Sequence, residues 1–325
     1  MPLWLMLILD VLLLAVCLLS FAYFHHVRPR ADVNPATISH AGKHTEEFIK
    51  QAGDTAKSKP GFGAKWENFF IDGDPVITET SYQSRDISVQ ISDKQVGNSV
   101  YYIADIHMRY TNNLRSAFGS VDEAGEDKYM LGKPSLAPAS EIIDRVHAIV
   151  AVNGDYYGAR ENGYLFRNFK LYRDMPRADV GALYADGSFR NFEKNAFDLQ
   201  AEIEGGLYQT MGFEPTLVTG GKALTGYNGS IASSNPRSGF GYYEPGHYCI
   251  AVADGRQEGY SVGPTIDEFA AFFESLGVQE AYNLDGGKSS QLYFMGRLVN
   301  KPDGYDGTEK SLRTLTDMFY IGEVE

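Results

Sequence analysis

The chain has few cysteines and a shortage of positive charge. Its 325 residues include two cysteines, and 29 lysines and arginines stand against 42 acidic residues, for a net charge of −13. Cys17 lies in an apolar run and Cys249 in a strand-like one, so no intrachain disulfide is expected. Nucleic-acid binding rests on cationic patches, and the acidic balance argues against such a partner. A polyanionic substrate would require a site that is locally basic.

The chain also lacks a complete P-loop, although Gly287-Lys288-Ser289 invites that interpretation. A P-loop needs a glycine five residues before the glycine of its Gly-Lys pair, and position 282 is tyrosine. A P-loop also opens a helix, whereas residues 290–300 show no helical stripe of apolar residues. Both absences argue against nucleotide hydrolysis. Internal repeats are absent too.

A long apolar run stands near the N-terminus. Residues 3–24 are apolar except for Asp10 and Ser20, and about 22 residues can cross roughly 30 Å of hydrocarbon as a helix. A cleaved signal peptide is the alternative, but no basic segment precedes the run and no small-x-small cleavage site follows it. The sequence predicts a single-pass anchor over residues 1–27, with the main domain outside the cell membrane. The basic residues just after the run favour the opposite topology under the positive-inside rule.

The remainder divides into a polar stretch and one main domain. Residues 28–95 are polar and mixed, typical of a linker or an accessory region, and residues 96–325 are mostly β in pattern. Residues 180–190 predict a hairpin around an Asp-Gly turn. A helix over 265–275 is predicted from a capping box and a glycine stop, and another over 138–146. The expected fold class is α+β, a mostly β-sheet core with a few bracing helices, preceded by the transmembrane helix.

Two strand-like runs end in similar polar turns. Residues 278–284 lead into Asp-Gly-Gly-Lys-Ser-Ser at 285–290, and residues 148–152 lead into Asn-Gly-Asp at 153–155. Glycines let a substrate approach the main chain, while lysine and hydroxyl groups can donate to phosphate oxygens. An aspartate at such a turn can act as acid, base or ligand. The structural alternative is a pair of ordinary tight turns between strands.

Several motifs, taken in chain order, resemble the phosphodiester glycosidase family. They lie at 101–107, 149–157, 167–173, 235–239, 252–257 and 283–290, so the likeness runs from about residue 100 to the C-terminus. One departure is Lys288, which stands where the family usually has a third glycine. The resemblance implies a hydrolase that cleaves sugar-1-phosphodiesters, with residues 96–325 as its catalytic domain. Its expected partner is a glycosyl phosphate on cell-surface or extracellular glycans.

That reaction assigns roles to the polar turns. The leaving group is a stable phosphate monoester, so the site needs contacts to phosphate and a carboxylate that activates water or attacks the anomeric carbon. Asp285 and Asp155 are the predicted catalytic pair, with their roles undivided, and Arg237 is predicted to hold the phosphate in a two-point contact. The predicted substrate-binding residues are Asn153, Tyr156, Gly286, Gly287, Lys288, Ser289 and Ser290. Candidate sources of further local positive charge are Arg167 and Arg173.

Cofactor use and other function classes stay open. The sequence requires no cofactor, although Ca²⁺ or Mg²⁺ held by the carboxylates is an alternative, and metal ligands are unassigned. His107 and His147 are interpreted as structural histidines, and His247 as a solvated turn residue. A non-catalytic glycan-binding protein of the cell surface would use the same cleft without releasing sugar. In a structural envelope protein, the acidic turns would be ordinary. The sugar, its anomer and the oligomeric state are not fixed by the sequence.

Overall fold

The computed structural model describes residues 62–324 and three isolated positions upstream, 5, 14 and 16. Apart from those three, the anchor predicted over residues 3–24 lies outside the described residues and stays a prediction. Within the part of the chain that is described, no helix is both long and apolar enough to cross a membrane.

An antiparallel sheet of nine strands forms the centre of the described chain. In spatial order it contains β1 (Val76–Ile77), β2 (Ser81–Gln83), β3 (Ile87–Val96), β4 (Ser99–Met108), β15 (His247–Ala253), β14 (Arg237–Glu244), β16 (Glu280–Leu284), β12 (Thr216–Thr219) and β13 (Lys222–Ala223). β14 pairs with β15 on one side and with β16 on the other. The motifs at 235–239 and 283–290 therefore lie on adjacent strands, β14 and β16.

Smaller sheets pack beside it. The five-stranded sheet contains β18 (Arg297–Leu298), β17 (Leu292–Phe294), β6 (Val150–Asn153), β19 (Asp317–Ile321) and β5 (Leu114–Phe118). A three-stranded sheet contains β10 (Phe189–Phe192), β9 (Val180–Tyr184) and β11 (Leu207–Met211), and a hairpin contains β7 (Leu165–Arg167) and β8 (Lys170–Arg173). The α-helices of the described part are α1 (Gly63–Trp66), α2 (Ala139–Val146), α3 (Leu199–Glu204) and α4 (Ile266–Leu276). The α+β class is confirmed.

The core has two layers of contacts, one on each face of the nine-stranded sheet. Buried side chains of one face pack against β6, β9, β17 and β19, and those of the other face pack against α4. Helix α4 begins with the predicted capping box between Thr265 and Glu268 and ends at Gly277, which has φ 86°. A Cβ on Gly239 of β14 would lie 2.8 Å from the Phe273 ring, so this glycine allows α4 to lie close to the sheet.

The sheet extends upstream of the domain boundary predicted at residue 96. β1, β2 and β3 all lie within the range assigned to a linker or accessory region, and β3 pairs with β4 from Ile87 opposite Met108 to Val96 opposite Ser99. The outer half of β3 is exposed and therefore polar, which hides the strand pattern in the sequence. The strands within residues 76–96 are therefore part of the nine-stranded sheet, and the boundary at residue 96 stays a prediction.

Candidate active site

The two acidic turns lie against each other, at a junction of two sheets. The main-chain N–H of Asp285, after β16, donates to the carbonyl of Gly154, after β6, at 3.1 Å. Asn153 Nδ2 donates to the Asp285 carbonyl at 2.7 Å. β16 belongs to the nine-stranded sheet and β6 to the five-stranded one, so these contacts join the two.

Asn153 fixes this junction through its amide. Its Oδ1 accepts from Ser238 Oγ at 2.8 Å and from the Gln291 N–H at 3.2 Å, while Nδ2 also reaches the Gly154 carbonyl at 3.3 Å. The amide therefore spends its hydrogen-bonding capacity within the protein. It positions the Asp285 turn, and direct contact with a substrate stays a prediction.

Asp155 is buried in an ion pair. Its Oδ2 accepts from Arg167 Nη2 at 2.6 Å and from the Gly212 N–H at 2.9 Å. Burial works to raise the pKa of Asp155, but the charge and hydrogen bond of Arg167 outweigh it, so the pKa lies below its usual value. This carboxyl is therefore ionised at neutral pH.

A second buried carboxyl, Asp317 at the start of β19, shares the same guanidinium. Its Oδ2 lies 3.4 Å from Arg167 Nη2 and accepts from the Asp155 N–H at 3.3 Å. Burial and the neighbouring charge of Asp155 raise the pKa of Asp317 to about 7. A Cβ on Gly154 would lie 2.0 Å from Asp317 Oδ2, so only glycine fits between the two acids. We call Asp155, Arg167 and Asp317 the buried triad.

Asp285 stands in a different environment. It is half-buried, and with Tyr156 and Asp317 it lines a narrow crevice. Burial raises the pKa of Asp285, against the opposing effects of a hydrogen bond from Ser289 and the charges of Arg313 and Arg160. Of the two predicted catalytic carboxylates, this is the one that is partly exposed to solvent.

Cations surround Asp285, and most of them were not selected from the sequence. Arg160 lies over the Phe213 ring, and burial with the charge of Arg177 lowers its pKa, against the opposing charges of Asp155 and Asp285. Arg313 donates to the Tyr156 hydroxyl at 3.1 Å. We call Arg160, Arg256, Lys288 and Arg313 the basic rim. These four cations lie at or near the turn 285–290 of an acidic protein.

The rim continues over the glycine turn. A Cβ on Gly287 would lie 3.4 Å from Arg256 Nη1, and this guanidinium also pairs with Asp303 at 3.3 Å. Lys288 is exposed, and its Nζ lies 3.3 Å from where a Cβ on Gly304 would be. Arg256 belongs to the motif at 252–257, but its contact with Gly287 could not be predicted, because the contact forms only when the two loops meet.

The glycine turn is shaped by close packing on residue 236. The Gly287 N–H donates to the Pro236 carbonyl at 2.9 Å, and a Cβ on Gly286 would lie 2.8 Å from the same oxygen. Gly287 has φ 63°. Ser290 Oγ is buried and makes no hydrogen bond with any described residue, so it keeps its donor for another group.

The predicted guanidinium groups are already engaged within the protein. Arg237 is buried, and its Nη2 donates to the carbonyls of Ile231 and Ser233, both at 2.6 Å. Burial, with the charge of Arg256 nearby, lowers the pKa of Arg237 to about 10. Arg173 is buried too and donates to the Gly163 carbonyl at 2.7 Å. A contact between Arg237 and phosphate stays a prediction.

No three-ligand metal group is formed by Asp155, Asp285 and Asp317 in the described part of the chain. The alternative of Ca²⁺ or Mg²⁺ at these carboxylates stays untested. Asp317 and Arg160 were missed from the sequence, and for Asp317 one local signal exists. It is the single charged residue in the apolar strand Asp317–Ile321.

Comparison with known proteins shows the family of this chain. A model of the phosphodiester glycosidase family matches residues 147–321, which is more than half of the chain. The chain belongs to the phosphodiester glycosidase family.

A curated relative and two solved structures are similar to this chain. The SPbeta prophage-derived uncharacterized protein YomE of Bacillus subtilis (strain 168) is 28% identical over 263 residues, covering 75% of this chain and 39% of that protein. The chain thus spans about two fifths of that relative. The catalytic domain of zebrafish N-acetylglucosamine-1-phosphodiester alpha-N-acetylglucosaminidase, auto-inhibited by its pro-peptide, superposes with TM-score 0.56 at 17% identity, covering 74% of this chain and 83% of that one. A hypothetical protein from Synechocystis superposes with TM-score 0.54 at 13% sequence identity, and the match covers 73% of this chain and 62% of that one. Both share the fold.

Proposed function

We propose that this chain hydrolyses a sugar-1-phosphodiester to a sugar and a phosphate monoester, on cell-surface or extracellular glycans. Family membership supports the reaction class. The observation that carries the proposal is the half-buried Asp285 carboxylate, held at the junction of two sheets and surrounded by the basic rim. A phosphate-bearing substrate matches the cations that lie near this carboxylate in a protein whose overall charge is −13.

The rim and the carboxylates act on different parts of the substrate. Negative charge grows on the phosphate oxygen as the glycosidic bond breaks, and fixed cations stabilise that charge without reorganising. Positive charge grows on the sugar ring, as in other glycosidases. In this proposal Asp285 faces the anomeric carbon as base or nucleophile, because it is the accessible carboxylate. Asp155, kept ionised by Arg167, adds a fixed negative charge behind the ring.

A panel of sugar-1-phosphodiesters tests the reaction class. The purified chain should release reducing sugar and phosphate monoester in equal amounts from at least one member. The matched control is the same sugar carried as a simple alkyl glycoside, which has no phosphate for the rim and should not be cleaved. Binding of the phosphodiesters without release would favour the glycan-binding alternative, and cleavage of both substrate types would contradict the role of the rim.

The proposed location rests on the apolar run of residues 3–24. In this proposal it anchors the chain, and the catalytic domain lies outside the cell. Protease added to intact cells should then digest the domain while a cytoplasmic marker survives. Full protection of the domain, with digestion after lysis, would contradict this topology.

A further inference from the structure

Three metal-ligand side chains meet at the other end of the nine-stranded sheet. Asp105 and His107 stand two residues apart on β4, and His107 lies directly opposite His247 of β15. Alternate residues of a strand share a face, so all three project on the same side. Their ligand atoms lie within 4.8 Å of one another. The sequence interpretation took His107 as a structural histidine and His247 as a solvated turn residue, and it missed that strand pairing joins these residues across 140 positions.

This cluster is separate from the acidic turns. β15 runs from His247 to Ala253, and Ala253 pairs with Arg237 beside the active site. Six residues of extended chain span about 20 Å. The cluster is therefore too far from the acidic turns to take part in their chemistry.

His107 is the buried member of the cluster. It is 4% exposed, and its ring stacks on those of Phe69 and His247, with centroids 3.7 Å and 4.0 Å away. An imidazole nitrogen is a common zinc ligand in proteins.

Apolar rings enclose the cluster. Phe69 stacks on His107 at 3.7 Å between ring centroids, and Tyr243 stacks on His247 at 4.0 Å. On the open side, His247 Nε2 lies 2.8 Å from Asp105 Oδ1. An apolar shell around a few nitrogen and oxygen donors is the usual setting of a protein metal site.

We propose that Asp105, His107 and His247 bind a divalent transition-metal ion such as Zn²⁺. Two imidazoles and one carboxylate suit zinc, whereas Ca²⁺ and Mg²⁺ take oxygen ligands. Zinc at roughly 2.0–2.1 Å from each donor needs donor atoms about 3.3 Å apart, so the ligands must draw together by up to about 1.5 Å. This movement would turn the half-buried His247 out of its stacks with His107 and Tyr243, each of which has centroids 4.0 Å apart. A bound ion would tie β4 to β15 and stabilise the fold.

Calorimetric titration of the metal-free full chain with Zn²⁺ tests the site. Four other histidines lie upstream of residue 62, so the measured quantity is the difference between variants. His247→Asn should lose one zinc equivalent relative to wild type. His147→Asn is the matched control, since His147 is exposed at the end of α2 in a left-handed conformation that asparagine tolerates. This control should bind zinc as wild type does.

Two further measurements distinguish a loss of zinc binding from a folding defect in the variant. Asp105→Asn keeps the size of the side chain and should lower the affinity for the same zinc ion by roughly tenfold or more. Zinc should raise the Tm of wild type and of His147→Asn, and leave that of His247→Asn unchanged. Equal zinc binding by wild type, His247→Asn and Asp105→Asn would overturn the proposal. Asp285→Asn should retain the site in full, which separates this inference from the catalytic one.

Discussion

The two acidic turns have similar sequences and opposite environments. Both follow a buried strand and both combine asparagine, glycine and aspartate, yet Asp155 is buried against Arg167 with a lowered pKa, while Asp285 is half-buried with a raised pKa. The Asp155 turn holds charge inside the protein, and the Asp285 turn presents a carboxylate to a basic surface. The motif thus predicts where the site lies, and the surrounding side chains determine which role each aspartate can take. Enzymes often give two carboxyl groups different catalytic roles by placing them in environments that separate their pKa values.

The largest effect is expected where the buried triad loses its cation. Arg167→Met leaves Asp155 and Asp317 buried without a counter-charge, and breaking a buried pair in this way costs about 3–5 kcal/mol. Urea unfolding at neutral pH measures the loss. Arg190→Met is a matched control, because Arg190 also lies over an aromatic ring but is exposed. A loss of stability no larger than that of the control would mean that the triad does not hold the Asp155 turn.

Asp155→Asn separates the electrostatic role of this turn from its structural one. Turnover should fall by roughly 10²-fold, the scale of a positioned catalytic charge. Stability should fall less than in Arg167→Met, because Asp317 can ionise and take over Arg167 once the repulsion from Asp155 is gone. Turnover on a competent phosphodiester and urea unfolding give the two values. Wild-type turnover in a folded variant would return this turn to a purely structural role.

The pH dependence of stability isolates Asp317. Its folded-state pKa of about 7 lies above the ordinary value of 3.8, so its contribution to stability is complete below about pH 4 and is lost as the pH rises through 7. The free energy of unfolding of wild type, minus that of Asp317→Asn, should therefore fall between pH 4 and 7, by at most about 1.4 kcal/mol per pH unit. A flat difference over this range would show that Asp317 is ionised throughout.

The smallest effect is expected at the rim. Arg313→Met removes one of several cations near Asp285 and should raise KM by roughly three- to tenfold at low salt, with a smaller difference at high salt. Arg85→Met removes an exposed arginine on a distant strand connection and should leave KM unchanged. Equal KM values in wild type and Arg313→Met at low salt would take Arg313 out of substrate binding.

Local signals in the sequence predicted much of the fold. The capping box of Thr265 and Glu268, the glycine stop at Gly277 and the hairpin around Gly187 all lie where they were expected, because each is decided by neighbouring residues. The buried strand before Asn153 was likewise readable. The outer half of β3 was not, since an exposed strand carries little hydrophobic pattern.

The site was predictable only in part. The motifs in the sequence identified both acidic turns as candidates, and in the structure the two turns are in contact. Asp317, Arg160 and Arg256 reach the site through packing between distant segments, and no spacing in the sequence reports such contacts. Likewise, the pairing of His107 with His247 follows from strand register alone.

Turnover of Asp285→Asn, measured beside wild type on a sugar-1-phosphodiester that wild type cleaves, tests the central claim most directly. The substitution keeps the size of the side chain and removes its charge and basicity. The account predicts a fall of roughly 10²-fold or more. The Tm should stay near that of wild type, because Asp285 is half-buried and the turn is held by main-chain contacts with Gly154 and Asn153. A folded Asp285→Asn variant with wild-type turnover would contradict the account.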